Sequence, residues 1–567
     1  MSAHPGAEER RGVRRPAVTR GGSATGRARR GVSWPLVLGA VPVGFTAVFF
    51  AWPVVAIVHR GLVDDAGRFD PAAILALWWT PEVGRLVAFT LGQAAASTAL
   101  TLALGMPVAW LLARVQLPGK ALVRVVVTVP FVLPTVVVGV AFRMLLGEGH
   151  LLGWTGLDGT VWAIILAHAF FNIAIVARTV GGVWARMDPR PEQAARALGA
   201  GPARVFATVT APRLLPAVAS ASAVVFLFCA TSFGVVLVLG GTRFRTLETE
   251  IYLQTVQVFD LRMAAALSVL QLLAVTAALA VAAAARRRVR GTPASPAAAR
   301  VARPARGPRR LGAAAALAIV TVVLVVPPAS LFVRSLRFDG GWSLHAYRIL
   351  GTEIAGIRPL DAVSTSLRTA VDAALLALVL GLLAAVALDR GRGRGKELAD
   401  GFMMLPLGVS AVTVGFGLLI TMGALPGDLR RSQLLVAIAQ AMIAMPLVVR
   451  TLLPAMQGID DRLRHAAGVL GAAPLRVWFS VDLPLVARSL AAAVGFAFVV
   501  ALGEFGATSF LARADEPTLP VLIGKLISRP GADNLAAALA SSVLLAVVTG
   551  AIVAVIEAVR VADVGEF

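Results

Sequence analysis

Two copies of one stretch organise this chain. The first is Gln193-Ala-Ala-Arg-Ala-Leu-Gly199, continued by Ala-Gly-Pro202 and closing at Ala-Pro212. The second is His465-Ala-Ala-Gly-Val-Leu-Gly471, continued by Ala-Ala-Pro474 and closing at Leu-Pro484. The register is constant: 272 positions separate Gly199 from Gly471, Pro202 from Pro474 and Pro212 from Pro484. Each copy reads as two short helices joined by a glycine elbow. Ala194, Ala195 and Leu198, like Ala466, Ala467 and Leu470, favour helix. Gly199 and Gly471 stand where a helix end needs the left-handed region. Pro202 and Pro474 suit the first turn of a second helix, where an amide would have no partner. Ala194 and Leu198 are four apart and share a face, as do Ala466 and Leu470. The expected product is a small apolar knob, a shape that suits helix-in-groove docking. One copy alone reads equally well as a connecting hairpin; two in register favour docking.

Outward from these stretches the chain is apolar. Of 567 residues, 58% are hydrophobic and 15% charged, against about 25% charged in a soluble domain. Apolar runs of about 20 residues recur along the whole length, the mark of a polytopic membrane protein. Spans are expected at 34–58, 86–113, 121–147, 161–184, 214–240 and 262–285, then at 312–335, 363–389, 399–422, 433–455, 486–513 and 534–560. The fold class is therefore all-α, with about twelve transmembrane helices in two halves, 34–285 and 312–560. Pro130, Pro134 and Pro406 fall inside spans and are expected to kink them.

The net charge of +22 comes from arginines in the loops. In a soluble protein it would point to nucleic acid; here it reads as topology, and no nucleic-acid partner is expected. Eight arginines lie in residues 1–33, a basic tail expected to be disordered, and nine in 286–310, within a linker at 286–311. Both read as cytoplasmic, as do the two repeated stretches and the short tail 561–567. The chain is thus expected to be a multi-pass membrane protein with both termini inside. The loop 148–160 has no Lys or Arg and reads as outside.

The halves repeat beyond the two stretches. Arg178-Thr179 recurs as Arg450-Thr451, and Phe233-Gly234 as Phe505-Gly506, at an offset of 272. Earlier in each half the offset is 276, as for Pro130 and Pro406 or Leu104-Gly105 and Leu380-Gly381. Six crossings per half leave the copies parallel, related by an axis along the membrane normal.

Enzyme chemistry finds no constellation. The sequence has no phosphate-binding Gly-x-x-x-x-Gly-Lys-Ser/Thr loop, so the chain cannot hydrolyse ATP alone. A single cysteine, Cys229, rules out a disulfide framework or a thiolate metal site within the chain. No cofactor, metal or catalytic residue is expected. Polar residues inside spans are costly and usually face a cavity or a neighbouring helix. His168, Asn172, Gln440 and Glu504 are the candidates for a translocation pathway. His168 and Gln440 are equivalent in the repeat. The alternative for His168 is an interhelical hydrogen bond, and for Glu504 a pairing with Arg513. On a continuous helix from Arg488, Glu504 falls about 24 Å along.

The paired stretches resemble the "EAA" coupling loop of the membrane subunits of ABC importers. Gln193 and His465 replace the family's leading Glu, and Glu192 stands one residue early. Leu166-Ala-His-Ala-Phe-Phe-Asn172, Ala230-Thr-Ser-Phe-Gly234 and Leu502-Gly-Glu-Phe-Gly506 look like the fused permeases of thiamine and ferric-iron importers. The resemblance implies a MetI-like fold and docking of Gln193 to Pro212 and His465 to Pro484 on two cytoplasmic ABC ATPase subunits. It also implies the plasma membrane of a bacterium and a substrate-binding protein outside that membrane, with thiamine as the substrate and ferric iron as the alternative. The competing class is an ion-coupled secondary transporter, which leaves the coupling repeat unexplained.

Overall fold

A computed structural model describes residues 34–63, 67–288, 303–304, 307–391, 393–424 and 432–561. The basic tail, most of the linker, the loop at Arg430 and Arg431 and nearly all of the last tail lie outside the described residues. The first half runs through α1 (Val37–Leu62), α2 (Pro81–Arg114), a bent pair α3 (Lys120–Val132) and α4 (Thr135–Leu146), and α5 (Val161–Arg186). The short helix α6 (Arg190–Ala197) precedes α7 (Pro202–Ala230), and α8 (Gly234–Gly240) and α9 (Leu247–Leu253) lead into α10 (Leu261–Ala278). The second half repeats the order. It runs α11 (Arg309–Ser335), α12 (Pro359–Arg390), the bent pair α13 (Arg394–Gly408) and α14 (Ala411–Thr421), α15 (Leu434–Gln457), α16 (Asp461–Val469), α17 (Pro474–Gly503), α18 (Thr508–Leu511), α19 (Leu519–Ile527) and α20 (Ala532–Ile556). Among the described residues, ten helices are long and apolar enough to cross a membrane, or twelve if each bent pair is one span.

Four stretches read from the sequence as single spans are interrupted. The α3–α4 pair bends by 106° and the α13–α14 pair by 100°. The first elbow follows from proline chemistry: Leu133 precedes Pro134, is pushed out of the helical region and sits at φ −64°, ψ 138°. In the second half the equivalent of Pro134 is Ser410. Val409 is extended there, and the Ser410 hydroxyl accepts from the amides of Val412 (3.0 Å) and Thr413 (3.4 Å), which starts α14 afresh. The other two interruptions fall at Thr231–Phe233 and Glu504–Ala507. They split the expected spans 214–240 and 486–513 and create α8 and α18. The helices α9 and α19 lie where the sequence reading placed loops.

Within each half the core contact is the crossing of the second long helix with the fourth. Gly105 of α2 lies against Val176 of α5, and Gly381 of α12 lies against Val448 of α15. A Cβ at Gly105 would stand 2.8 Å from the Val176 Cβ, and one at Gly381 would stand 2.7 Å from the Val448 Cβ. Small residues let the backbones approach, and dispersion contacts rather than hydrophobic transfer then hold the crossing.

The first helix of each half packs on α10 or α20 of its own half and also reaches across to the other. In α1, Gly39 faces Ala387 of α12, and Pro53 lies against Gly417 of α14. In α11, Gly312 lies against the Trp110 ring of α2. The halves are therefore interlocked at two equivalent places, and 34–285 is a repeat unit of sequence without being a separate packing unit.

Gly381→Val and Gly105→Val are each expected to cost about 1–3 kcal/mol through overpacking of the crossing. The measurement is thermal unfolding in detergent. Pairing Gly381→Ala with Val448→Ala recovers most of the loss if the crossing is the cause.

Candidate functional site: coupling helices and the junction of the halves

The two repeated stretches fold alike. In the first, the Gly199 amide donates to Arg196 O (3.0 Å) and the Ala200 amide to Ala195 O (3.0 Å). In the second, Gly471 donates to Gly468 O (2.9 Å) and Ala472 to Ala467 O (3.0 Å). Both patterns are the Schellman ending of a helix, and both glycines sit at φ +83°, as the sequence reading expected. Pro202 and Pro474 open the following helix. Pro212 and Pro484 lie in the next turn, just after five-residue π-helical segments at Phe206–Thr210 and Trp478–Asp482. A proline lacks the amide that would continue the i→i−4 ladder, which accounts for the wider turn before it.

The knob is present in both copies. Leu198 is 89% exposed, Leu470 is 87% and its neighbour Val469 is 88%. Gln193, Ala194, His465 and Ala466 are exposed around it, while Ala195 and Ala467 are half-buried. An apolar surface of this kind marks an interaction site.

The four residues read as pathway candidates lie in helix seams. The His168 Nδ1 of α5 is 3.2 Å from the Ser97 hydroxyl of α2. Asn172 donates to His168 O (2.9 Å) and to the Cys229 Sγ of α7 (3.4 Å). Gln440 of α15 donates to the Thr508 hydroxyl at 3.5 Å. Glu504 accepts from the amides of Ala507 (2.7 Å) and Thr508 (2.9 Å) and from the Thr508 hydroxyl, so it caps α18. Arg513 pairs with Asp515 instead (2.5 Å), which removes the expected Glu504–Arg513 pairing. The continuous helix assumed in placing Glu504 ends one residue before it, at Gly503.

Sequence reasoning passed over the residues that meet at the junction. Phe233 and Phe505 are repeat equivalents, and their rings stack on each other at 5.1 Å and 21°. A residue touching its own equivalent must lie at the pseudo-twofold axis. The Tyr252 ring stands 5.1 Å from Phe233 and 5.5 Å from Phe510, extending the aromatic cluster across both halves. Beside it Glu248 of α9 is fully buried and accepts from Ser410 of the other half (2.6 Å) and from Gln271. The available signal was the alignment of Phe233-Gly with Phe505-Gly at the two interruptions. Glu248 was missed because its segment read as a loop.

The model of one family matches this chain twice, over residues 102–291 and 377–561. Its description is "Binding-protein-dependent transport system inner membrane component". The chain belongs to this family. It is an ABC importer permease subunit carrying two copies of the family's domain. The thiamine transport system permease protein ThiP of Brucella abortus (strain 2308) is 27% identical over 501 residues, covering 86% of this chain and 89% of the relative. The molybdenum transport system permease proteins ModB of Haemophilus influenzae and Escherichia coli (strain K12) are 33% and 35% identical. Each of these covers 32% of this chain and 85% or 84% of the relative.

In this permease Glu504→Ala is expected to lower the unfolding midpoint, since losing a cap of this kind costs about 1–2 kcal/mol. Glu504→Gln keeps one acceptor oxygen and costs less. Thermal unfolding in detergent compares the two, and an unchanged midpoint for the Ala variant would refute the capping role.

Proposed function

We propose that this permease imports thiamine, delivered by a binding protein outside the membrane and driven by two ABC ATPase subunits docked on α6 and α16. The observation that carries the substrate is the reach of the ThiP match, which spans both halves of one chain in each protein. The ModB match confined to one half favours an oxyanion as the second reading. The aromatic cluster at the axis weighs toward thiamine, because ring faces attract an aromatic cation and offer nothing to an oxyanion. In this reading the stacked Phe233 and Phe505 close the path. His168, Asn172, Gln440 and Glu504 then hold the helices that frame it. The arginine distribution supports a cytoplasmic side for both termini and both coupling helices. Ferric iron keeps the support of the sequence strings alone.

The substrate test is uptake of labelled thiamine and of molybdate into vesicles holding the permease with its ATPase and binding protein. ATP-dependent thiamine uptake is expected, and molybdate uptake without thiamine uptake would overturn the assignment.

The coupling reading has its own test. A side chain at φ +83° costs about 1 kcal/mol or more. Gly199→Val and Gly471→Val should misplace Leu198 and Leu470, weaken co-purification of the ATPase subunits and abolish transport while the permease still inserts. Full transport by the double variant would refute the docking role.

A further inference from the structure

The coupling helices bury no residue of their own: neither α6 nor α16 has a buried side chain. Behind each lies an open cleft, about 600 Å³ in the first half and about 590 Å³ in the second. Apolar packing therefore does not fix these helices to the bundle. Charged side chains crossing each cleft do.

In the first half, Arg114 at the end of α2 stands 3.2 Å from the Glu192 carboxylate of α6. The Thr210 hydroxyl of α7 donates to the same oxygen at 3.0 Å. Arg196 of α6 approaches the other oxygen at 3.8 Å. The Arg114 and Glu192 side chains are 10% and 12% exposed. In the second half, Arg390 at the end of α12 and Arg464 of α16 each stand 2.7 Å from Asp482 of α17, which is fully buried. Asp389 lies 3.4 Å from both arginines. Burial disfavours the charged form of Arg464, but its bonds to Asp482 and Asp461 outweigh that and hold its pKa above the ordinary value.

The repeat makes the comparison position by position. Arg114 corresponds to Arg390 and Ala113 to Asp389 at 276; Glu192 corresponds to Arg464 and Thr210 to Asp482 at 272. The acid has moved from the coupling helix to the helix after it, and a base has taken its place. The formal charge is conserved. Leaving aside the exposed Arg196 and Asp461 at the rims, Arg114 and Glu192 sum to zero, and so do Arg390, Arg464, Asp389 and Asp482. A change at one of these positions without the others would leave a buried charge unpaired, which is strongly unfavourable.

We propose that each set is a lock of positioning residues that makes the coupling helix move as one body with the long helix before it and the helix after it, and that the two halves carry the lock in transposed form. Each set then works as a set and fails piecemeal. The proposal rests on α6 and α16 being the docking helices.

The test moves the second half's solution into the first, in the complete importer with its ATPase and binding protein. Glu192→Arg should lower the amount of substrate imported per ATP hydrolysed at least tenfold while the ATPase subunits still co-purify. Adding Thr210→Asp and Ala113→Asp should restore that ratio to within about threefold of wild type. A triple variant no better than the single one would overturn the transposition. A normal ratio in Glu192→Arg would overturn the lock. Should both variants fail to insert, Glu192→Gln, which keeps the shape, is read instead: a reduced ratio supports the lock and a normal one refutes it. ATPase subunits that fail to co-purify with the wild-type permease would sink the docking reading itself, separately from the lock.

Discussion

A hydrocarbon interior offers no hydrogen-bond partner, so a helix that stops inside it must find its lost bonds within the protein. This chain interrupts four of its apolar stretches, and the rest of the architecture follows from how those ends are satisfied. Pro134 has no amide to satisfy. Ser410 caps two amides with its own hydroxyl. Glu504 does the same for Ala507 and Thr508. The ends are tolerable because they face the junction of the two halves, where Ser410 bonds Glu248 across it, Gln271 supports Glu248 from the same half and the Phe233–Phe505 stack fills the axis. An interruption on the lipid side would have no such partners.

The reach of each first helix onto the other half gives the junction its rigidity. Because α1 packs on α12 and α14 while α11 packs on α2, separating the halves would also unpack two long helices. The coupling helices are treated in the opposite way. They hold no fully buried residue, sit over open clefts and meet the bundle through a few charged side chains. Directional ion pairs hold such a surface helix at a set angle as well as a set distance, which apolar contact would not, since charge-assisted hydrogen bonds fix geometry.

Sequence equivalence did not become chemical equivalence in the structure. His168 and Gln440 align, yet one bonds Ser97 and the other Thr508. Pro134 and Ser410 break the same helix by different means. Glu192 and Arg464 occupy one position with opposite charge. The two halves hold the same shape with separately adjusted contacts.

What the amino-acid sequence determined alone is what depends on local chemistry. The all-α class follows from long apolar runs, and the parallel repeat from constant offsets. The left-handed elbows at Gly199 and Gly471 follow from the few residues around them, because a Schellman ending is closed by bonds within one turn. The kink at Pro134 belongs with these, whereas the matching break in the second half falls at Ser410, past Pro406. Tertiary structure decided the rest. Hydropathy registers that a segment is apolar but not where its hydrogen-bond ladder is interrupted, so the breaks at Thr231–Phe233 and Glu504–Ala507 and the helices α9 and α19 were hidden. The reach of α1 and α11 across the halves was equally hidden, since a spanning helix carries no sign of which neighbour it meets. Arg390 and Asp482 lie 92 positions apart, and Glu248 and Ser410 lie 162 apart. Nothing near either residue names its partner, and only the packed bundle brings them within bonding distance.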